Sequence, residues 1–152
     1  ITDKVYDRAI SITLNDKGES IDTEYTEGVI MPYANFARLH EQALTNFPIS
    51  KTSLVKFDRL DKFVTEKFRI AFGNRVLKQM RTFVASFVAC GGKEVDALDF
   101  MFASKVLKKF TSLNLAFLHD ELNDLSSELD KIFGKGAFWQ SQKVIADYLK
   151  IS

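Results

Sequence analysis

Phe72-Gly73-Asn74-Arg75-Val76-Leu77-Lys78-Gln79-Met80-Arg81-Thr82-Phe83-Val84-Ala85-Ser86-Phe87-Val88 is the stretch whose reading decides the fold class. Val76, Leu77, Met80, Phe83, Val84, Phe87 and Val88 recur at spacings of three and four, which puts them on one face of an α-helix. Gly73-Asn74 interrupts the chain in front of that helix. Asn74 is its expected N-cap, because an Asn side chain can accept the free N–H groups of a first turn. Gly91-Gly92 ends it.

The same periodicity continues on both sides. Upstream, Leu60, Phe63, Val64 and Phe68 form a stripe broken by the stem of Lys67, and helix is expected from Ser53 onward. Downstream, one helix is expected through Leu98, Met101, Phe102, Val106 and Phe110. Another carries Leu118, Leu122, Leu125, Leu129 and Ile132, and a last one holds Val144, Ile145, Tyr148 and Leu149. Gly134 and Gly136 punctuate the last two. The leucine stripe is only about two heptads long, so it reads as core rather than as a zipper. Before Ser53, Phe36, Leu39 and Ala43 follow Pro32 at helical spacing, and Phe47-Pro48-Ile49-Ser50 breaks that helix. Residues 15–27 are polar and read as a loop or surface arm, while Ile10-Ser11-Ile12-Thr13-Leu14 alternates as a strand does. The expected fold is therefore mainly α: a bundle of about five helices behind a short N-terminal strand-containing arm. A lone strand needs partners that the rest of the sequence does not offer. The first residue is Ile rather than Met, and the simplest reading is that the sequence is part of something longer.

Composition narrows the classes. The chain has 152 residues, 46% of them hydrophobic and 27% charged, which suits one packed core rather than a disordered chain. A net charge of +1 gives no global attraction to nucleic acid or to a membrane. No apolar run approaches the roughly 20 residues of a membrane span. Fourteen Phe against one Trp and four Tyr point to a core packed with rings that carry no polar handle. Cys90, the one cysteine, cannot form an internal disulfide and fits a reducing cytoplasm; before two glycines it reads as a small buried residue.

Several chemistries are missing from the sequence. It contains no G-x-x-x-x-G-K-[ST] loop, no hydrophobic strand ending in paired acids that could hold magnesium, no G-x-S-x-G elbow and no H-E-x-x-H helix. His40 and His119 stand alone and read as surface or boundary residues; no metal site is expected. Lys78, Arg81, Lys105, Lys108 and Lys109 read as solvated basic faces. Two segments stand out. Lys4-Val5-Tyr6-Asp7-Arg8 precedes the expected strand, and Phe72-Gly73-Asn74-Arg75 opens the strongest helix. Each sets an arginine at an element boundary, where a permanently charged guanidinium fork can meet phosphate oxygens bidentately.

These segments resemble the AAA+ NTPase domain of the modified-cytosine restriction motors (McrB-type). Thr2-Asp3-Lys4-Val5-Tyr6-Asp7-Arg8-Ala9 matches that family's S-x-K-V-x-D-R-A stretch, and Phe72-Gly73-Asn74-Arg75 its F-G-x-R turn. Leu98-Asp99-Phe100-Met101-Phe102-Ala103-Ser104-Lys105-Val106-Leu107-Lys108-Lys109 is similar to the helix that follows, with Lys108 where the family usually has proline. The closing helix from Ser141 to Ile145 also fits, and the stretch from Asn15 to Lys51 matches poorly.

The resemblance implies that residues 1–50 are the end of an AAA+ α/β core and a connector, and residues 51–152 a helical lid bundle. It implies that Arg8 is an arginine finger offered to the γ-phosphate on a neighbouring subunit, and that Arg75 is the lid arginine touching nucleotide in its own subunit. ATP or GTP with Mg2+ would be bound by the parent protein. The chain alone would bind no cofactor and would not turn over nucleotide. Its partners would be other subunits of a homo-oligomeric ring and a nuclease or other effector, with DNA engaged only indirectly and no membrane. The setting would be restriction or phage defence in the cytoplasm. Plainer roles compete: Arg8 paired with Asp3 or Asp7, and an Arg75 stem covering apolar surface. The alternative for the chain as a whole is a free-standing helical protein-interaction module; a helical DNA-binding domain is disfavoured by the neutral charge.

Overall fold

The structure is a computed structural model and describes residues 5, 8–10, 12 and 17–152. Six α-helices form among them: α1 (Tyr33–Asn46), α2 (Lys51–Phe68), α3 (Asn74–Ala89), α4 (Glu94–Met101), α5 (His119–Phe133) and α6 (Trp139–Leu149). The strand expected over Ile10 to Leu14 lies largely outside the described residues, and among those described no strand forms. Residues 17–32 run exposed without regular structure.

Local chemistry explains several helix ends. Ser50 caps α2, its Oγ accepting the Ser53 N–H at 3.1 Å. Glu94, opening α4, accepts from the Ser50 N–H at 2.9 Å and from the Ser50 and Ser53 hydroxyls, so one carboxylate ties two helix starts together. Burial alone would raise the Glu94 carboxyl, but these hydrogen bonds outweigh it and hold the group below its ordinary range. At the end of α3, the Gly91 N–H bonds the Val88 carbonyl and the Gly92 N–H bonds that of Phe87. This is a Schellman closure, and Gly91 takes the φ of +90° that it needs. The N-cap of α3 is Gly73 rather than Asn74, which enters the helix without a capping bond from its side chain. Cys90, expected to be buried, is the exposed C-cap of the same helix.

The long helix expected from Leu98 to Phe110 is not regular. After Met101 the chain widens into a π-helical turn, Phe102–Val106, and then tightens into 3-10 segments, Leu107–Ser112 and Leu115–Phe117. The Leu107 N–H reaches back to the Phe102 carbonyl, five residues away. A regular α-helix shields one face; here all five residues from Phe102 to Val106 are buried. Lys105 is wholly buried and Lys109 nearly so, which corrects the expectation of a solvated basic face.

Helix α1 packs on α3, α3 on α4, α2 on α5, and α6 on α4, α5 and the π-helical turn. The core contains Leu60, Val64, Met80, Val84, Leu98, Leu122, Leu125 and Leu129. Five phenylalanines close a ring of contacts, four of them in the core and Phe133 packed against it: Phe57 to Phe72 (5.8 Å), Phe72 to Phe102 (5.9 Å), Phe102 to Phe138 (6.2 Å), Phe138 to Phe133 (3.9 Å) and Phe133 back to Phe57 (5.9 Å). Pairs of this kind add about 0.5–1.5 kcal/mol each beyond area burial. The ring joins α2, α5, the π-helical turn and the loops before α3 and α6, so it fixes the point from which α3 departs.

Candidate functional site

Phe72 begins the site. Its side chain is a member of the phenylalanine ring, and its N–H donates to Asp61 Oδ1 at 2.8 Å. The turn is thus held by its side chain and its main chain, and Gly73 then releases the chain into α3. Arg75 follows in the first helical turn, exposed, with Lys78 beyond it. That turn contains no acidic residue, although the positive end of a helix dipole favours anions and disfavours cations.

Arg8 arrives from the opposite end of the sequence. Its own N–H and that of Ala9 both donate to the Val5 carbonyl, at 3.0 and 2.9 Å, and close a tight turn. The carbonyl of Ala9 accepts from Nζ of the buried Lys105 at 2.6 Å. The turn therefore leans on the π-helical segment of the bundle, and Arg8 stands exposed beside it.

Arg8 and Arg75 line the same open cavity, about 740 Å³ in volume, together with Lys78, Lys105 and His40. No Asp or Glu is among the described residues that line it. Neither arginine forms an ion pair with another described residue, and Asp3 and Asp7, proposed partners of Arg8, lie outside the described residues. His40 stacks beside Phe36 on α1, with ring centroids 6.3 Å apart, so the isolated histidine of the sequence forms part of the cavity wall. The volume lies within the range of small-molecule sites, about 300–1,000 Å³. Ile10, Phe36, Phe83 and Met101 supply an apolar part of the same lining, and the arginines and Lys78 are the groups there that can meet an anion.

Sequence reasoning found both arginines and missed Lys105. The signal was available, because Lys105 follows Leu98 and Met101 at helical spacing and so falls on the core face rather than the solvent face. A second cavity, about 380 Å³, lies between the π and 3-10 segments and α6; it holds both Lys143 and Asp147 and neither arginine.

The other buried polar cluster closes on itself. Asp99 is wholly buried and accepts from the N–H groups of Gln140 (2.8 Å) and Ser141 (2.9 Å) and from the Ser141 hydroxyl. It satisfies the free first-turn donors of α6 from a neighbouring helix. Burial pushes its carboxyl up, opposed in part by these bonds.

No helix among the described residues is long and apolar enough to cross a membrane. No family model matches the chain, and neither a curated protein nor a solved structure matches it.

Proposed function

We propose that the chain is the C-terminal part of an AAA+ ATPase or GTPase motor, the end of its core with the helical lid, acting in restriction or phage defence. The observation that carries this reading is the shared cavity. The two arginines singled out by the family motifs, from distant parts of the sequence, flank one cationic space with no described acid. Charge building on a transferred phosphoryl group is what such arginines stabilise, an effect worth roughly 10³–10⁵ in rate. Magnesium and the rest of the phosphate cradle would be held by the phosphate-binding half of the parent protein, so this chain by itself turns over no nucleotide, although its cavity, beyond what the family resemblance implies, would still bind a bare polyphosphate through the two arginines. The ring of subunits, the nuclease or other effector and the cytoplasmic setting belong to the same proposal.

The resemblance gives Arg8 to a neighbouring subunit and Arg75 to its own. Their common cavity favours a phosphate chain that meets both. In the intact protein, Arg8→Ala is expected to abolish hydrolysis while sparing nucleotide binding; normal turnover would remove the role. Mixing that variant with subunits lacking the phosphate-loop lysine separates the two geometries. Activity regained in mixed rings assigns Arg8 to the neighbour's nucleotide, and continued inactivity assigns it to its own.

A helical protein-interaction module is the second reading, favoured by one observation. Val29, Ile30, Tyr33, Phe36 and Leu39, on α1 and just before it, are all exposed, Ile30 at 93%. A patch of that kind is a surface for another protein. In the motor reading, the rest of the parent protein covers it.

A further inference from the structure

We propose that Lys105 is a positioning residue. Its ammonium, by donating to the Ala9 carbonyl, fastens the arm to the bundle and sets the reach of Arg8 into the cavity. This rests on the phosphate reading of that cavity.

Burying an ammonium is costly, and a leucine or methionine would fill the same volume without that cost. Yet Lys105 is fully enclosed within the π-helical turn, between Ser104 and Val106, with its Nζ 2.6 Å from the Ala9 oxygen. That oxygen belongs to the residue after Arg8. The Arg8 and Ala9 N–H groups share the Val5 carbonyl, so the three residues form one turn. Fixing the Ala9 carbonyl therefore fixes the backbone from which the Arg8 side chain extends. The segment also continues along the bundle: Ile10 lines the arginine cavity and Ile12 the second one. A bond to the main chain holds the arm whatever its side chains are, and a charged donor makes that bond a strong one. The π-helical turn supplies the enclosure, since all five of its residues are buried and Lys105 lies among them.

The test is a double-mutant cycle on the 152-residue chain, with inorganic tripolyphosphate as the probe and titration calorimetry as the readout. Arg8→Ala is expected to weaken binding roughly tenfold, the worth of one charge-assisted hydrogen bond, and Lys105→Met to weaken it by a similar factor. If Lys105 acts through Arg8, the Arg8→Ala/Lys105→Met double variant binds no more weakly than either single one. In Lys105→Met/Arg75→Ala the two losses multiply. A merely structural lysine would show the same coupling to both arginines. Should Lys105→Met fail to fold, Lys105→Gln, which keeps a short donor but no charge, runs the same cycle. Losses that multiply for Lys105 and Arg8, or wild-type affinity in Lys105→Met, overturn the assignment while the cavity still binds tripolyphosphate. No binding by the wild-type chain removes the phosphate reading itself, a distinguishable failure.

Discussion

Asp99 and Lys105 are buried charges less than two helical turns apart on one continuous helical run, and they serve opposite ends. Around Asp99 the fold supplies two N–H groups and a hydroxyl, so the carboxylate is enclosed by donors of its own chain. Around the cavity edged by Lys105, the described residues supply cations and no acid. The first arrangement holds α6 to α4 and needs nothing from outside. The second gathers Arg8, Arg75 and Lys78 beside the positive end of α3, an end of a helix that favours anions. A polar cluster that closes on itself is architecture; the proposed phosphate site is read instead from Arg8, Arg75 and Lys78 gathered around one open cavity.

Breaking the closed cluster should have the largest effect. Asp99→Ala strands the donors of Gln140 and Ser141 in the interior and is expected to lower unfolding free energy by about 3 kcal/mol, read by urea denaturation. At the open site the expectation reverses. Arg75→Ala should change stability by no more than about 0.5 kcal/mol while weakening tripolyphosphate binding at least tenfold. A large stability loss at Arg75 with binding intact would mean that its stem covers apolar surface and that the contrast is false.

The two helix-tying acids sharpen the comparison through pH. Glu94 is held below its ordinary 4.5, so the folded chain gives up that proton more readily than the unfolded one. The stability it contributes is present above 4.5 and is lost as pH falls through its lowered value. Asp99 is raised above its ordinary 3.8, so its contribution has the opposite sign and declines as pH climbs from 3.8 through the raised value. Denaturation of wild type, Glu94→Gln and Asp99→Asn at several pH values should therefore give difference curves of opposite slope; equal slopes would contradict the assigned environments. The smallest effect is expected at the Arg59–Glu128 pair, whose arginine is 58% exposed: Arg59→Ala should cost less than about 1 kcal/mol in the same denaturation assay.

Much of this was legible in the residues. The three-and-four spacing of Val76, Met80, Val84 and their neighbours marks α3, and Pro48 and Gly91-Gly92 mark helix ends, because those signals are local. The arginines were legible because each sits at a boundary with a recognisable motif. The π-helical turn was not, since Phe102, Val106 and Phe110 fit a regular helix equally well, and nothing in their spacing marks the Leu107 to Phe102 bond that widens it. Lys105 was misread for a different reason: its spacing put it on the core face, but a lysine is among the residues least expected inside a core. The meeting of Arg8 and Arg75 on one cavity was beyond local signals altogether, because it depends on where the arm lies against the bundle.

Titrating the chain with inorganic tripolyphosphate, beside Arg8→Ala and Arg75→Ala, tests the central claim most directly. Saturable one-site binding by the wild type, weakened at least tenfold by each substitution with the fold unchanged, is the predicted result. Binding that is absent, or indifferent to both arginines, would contradict it.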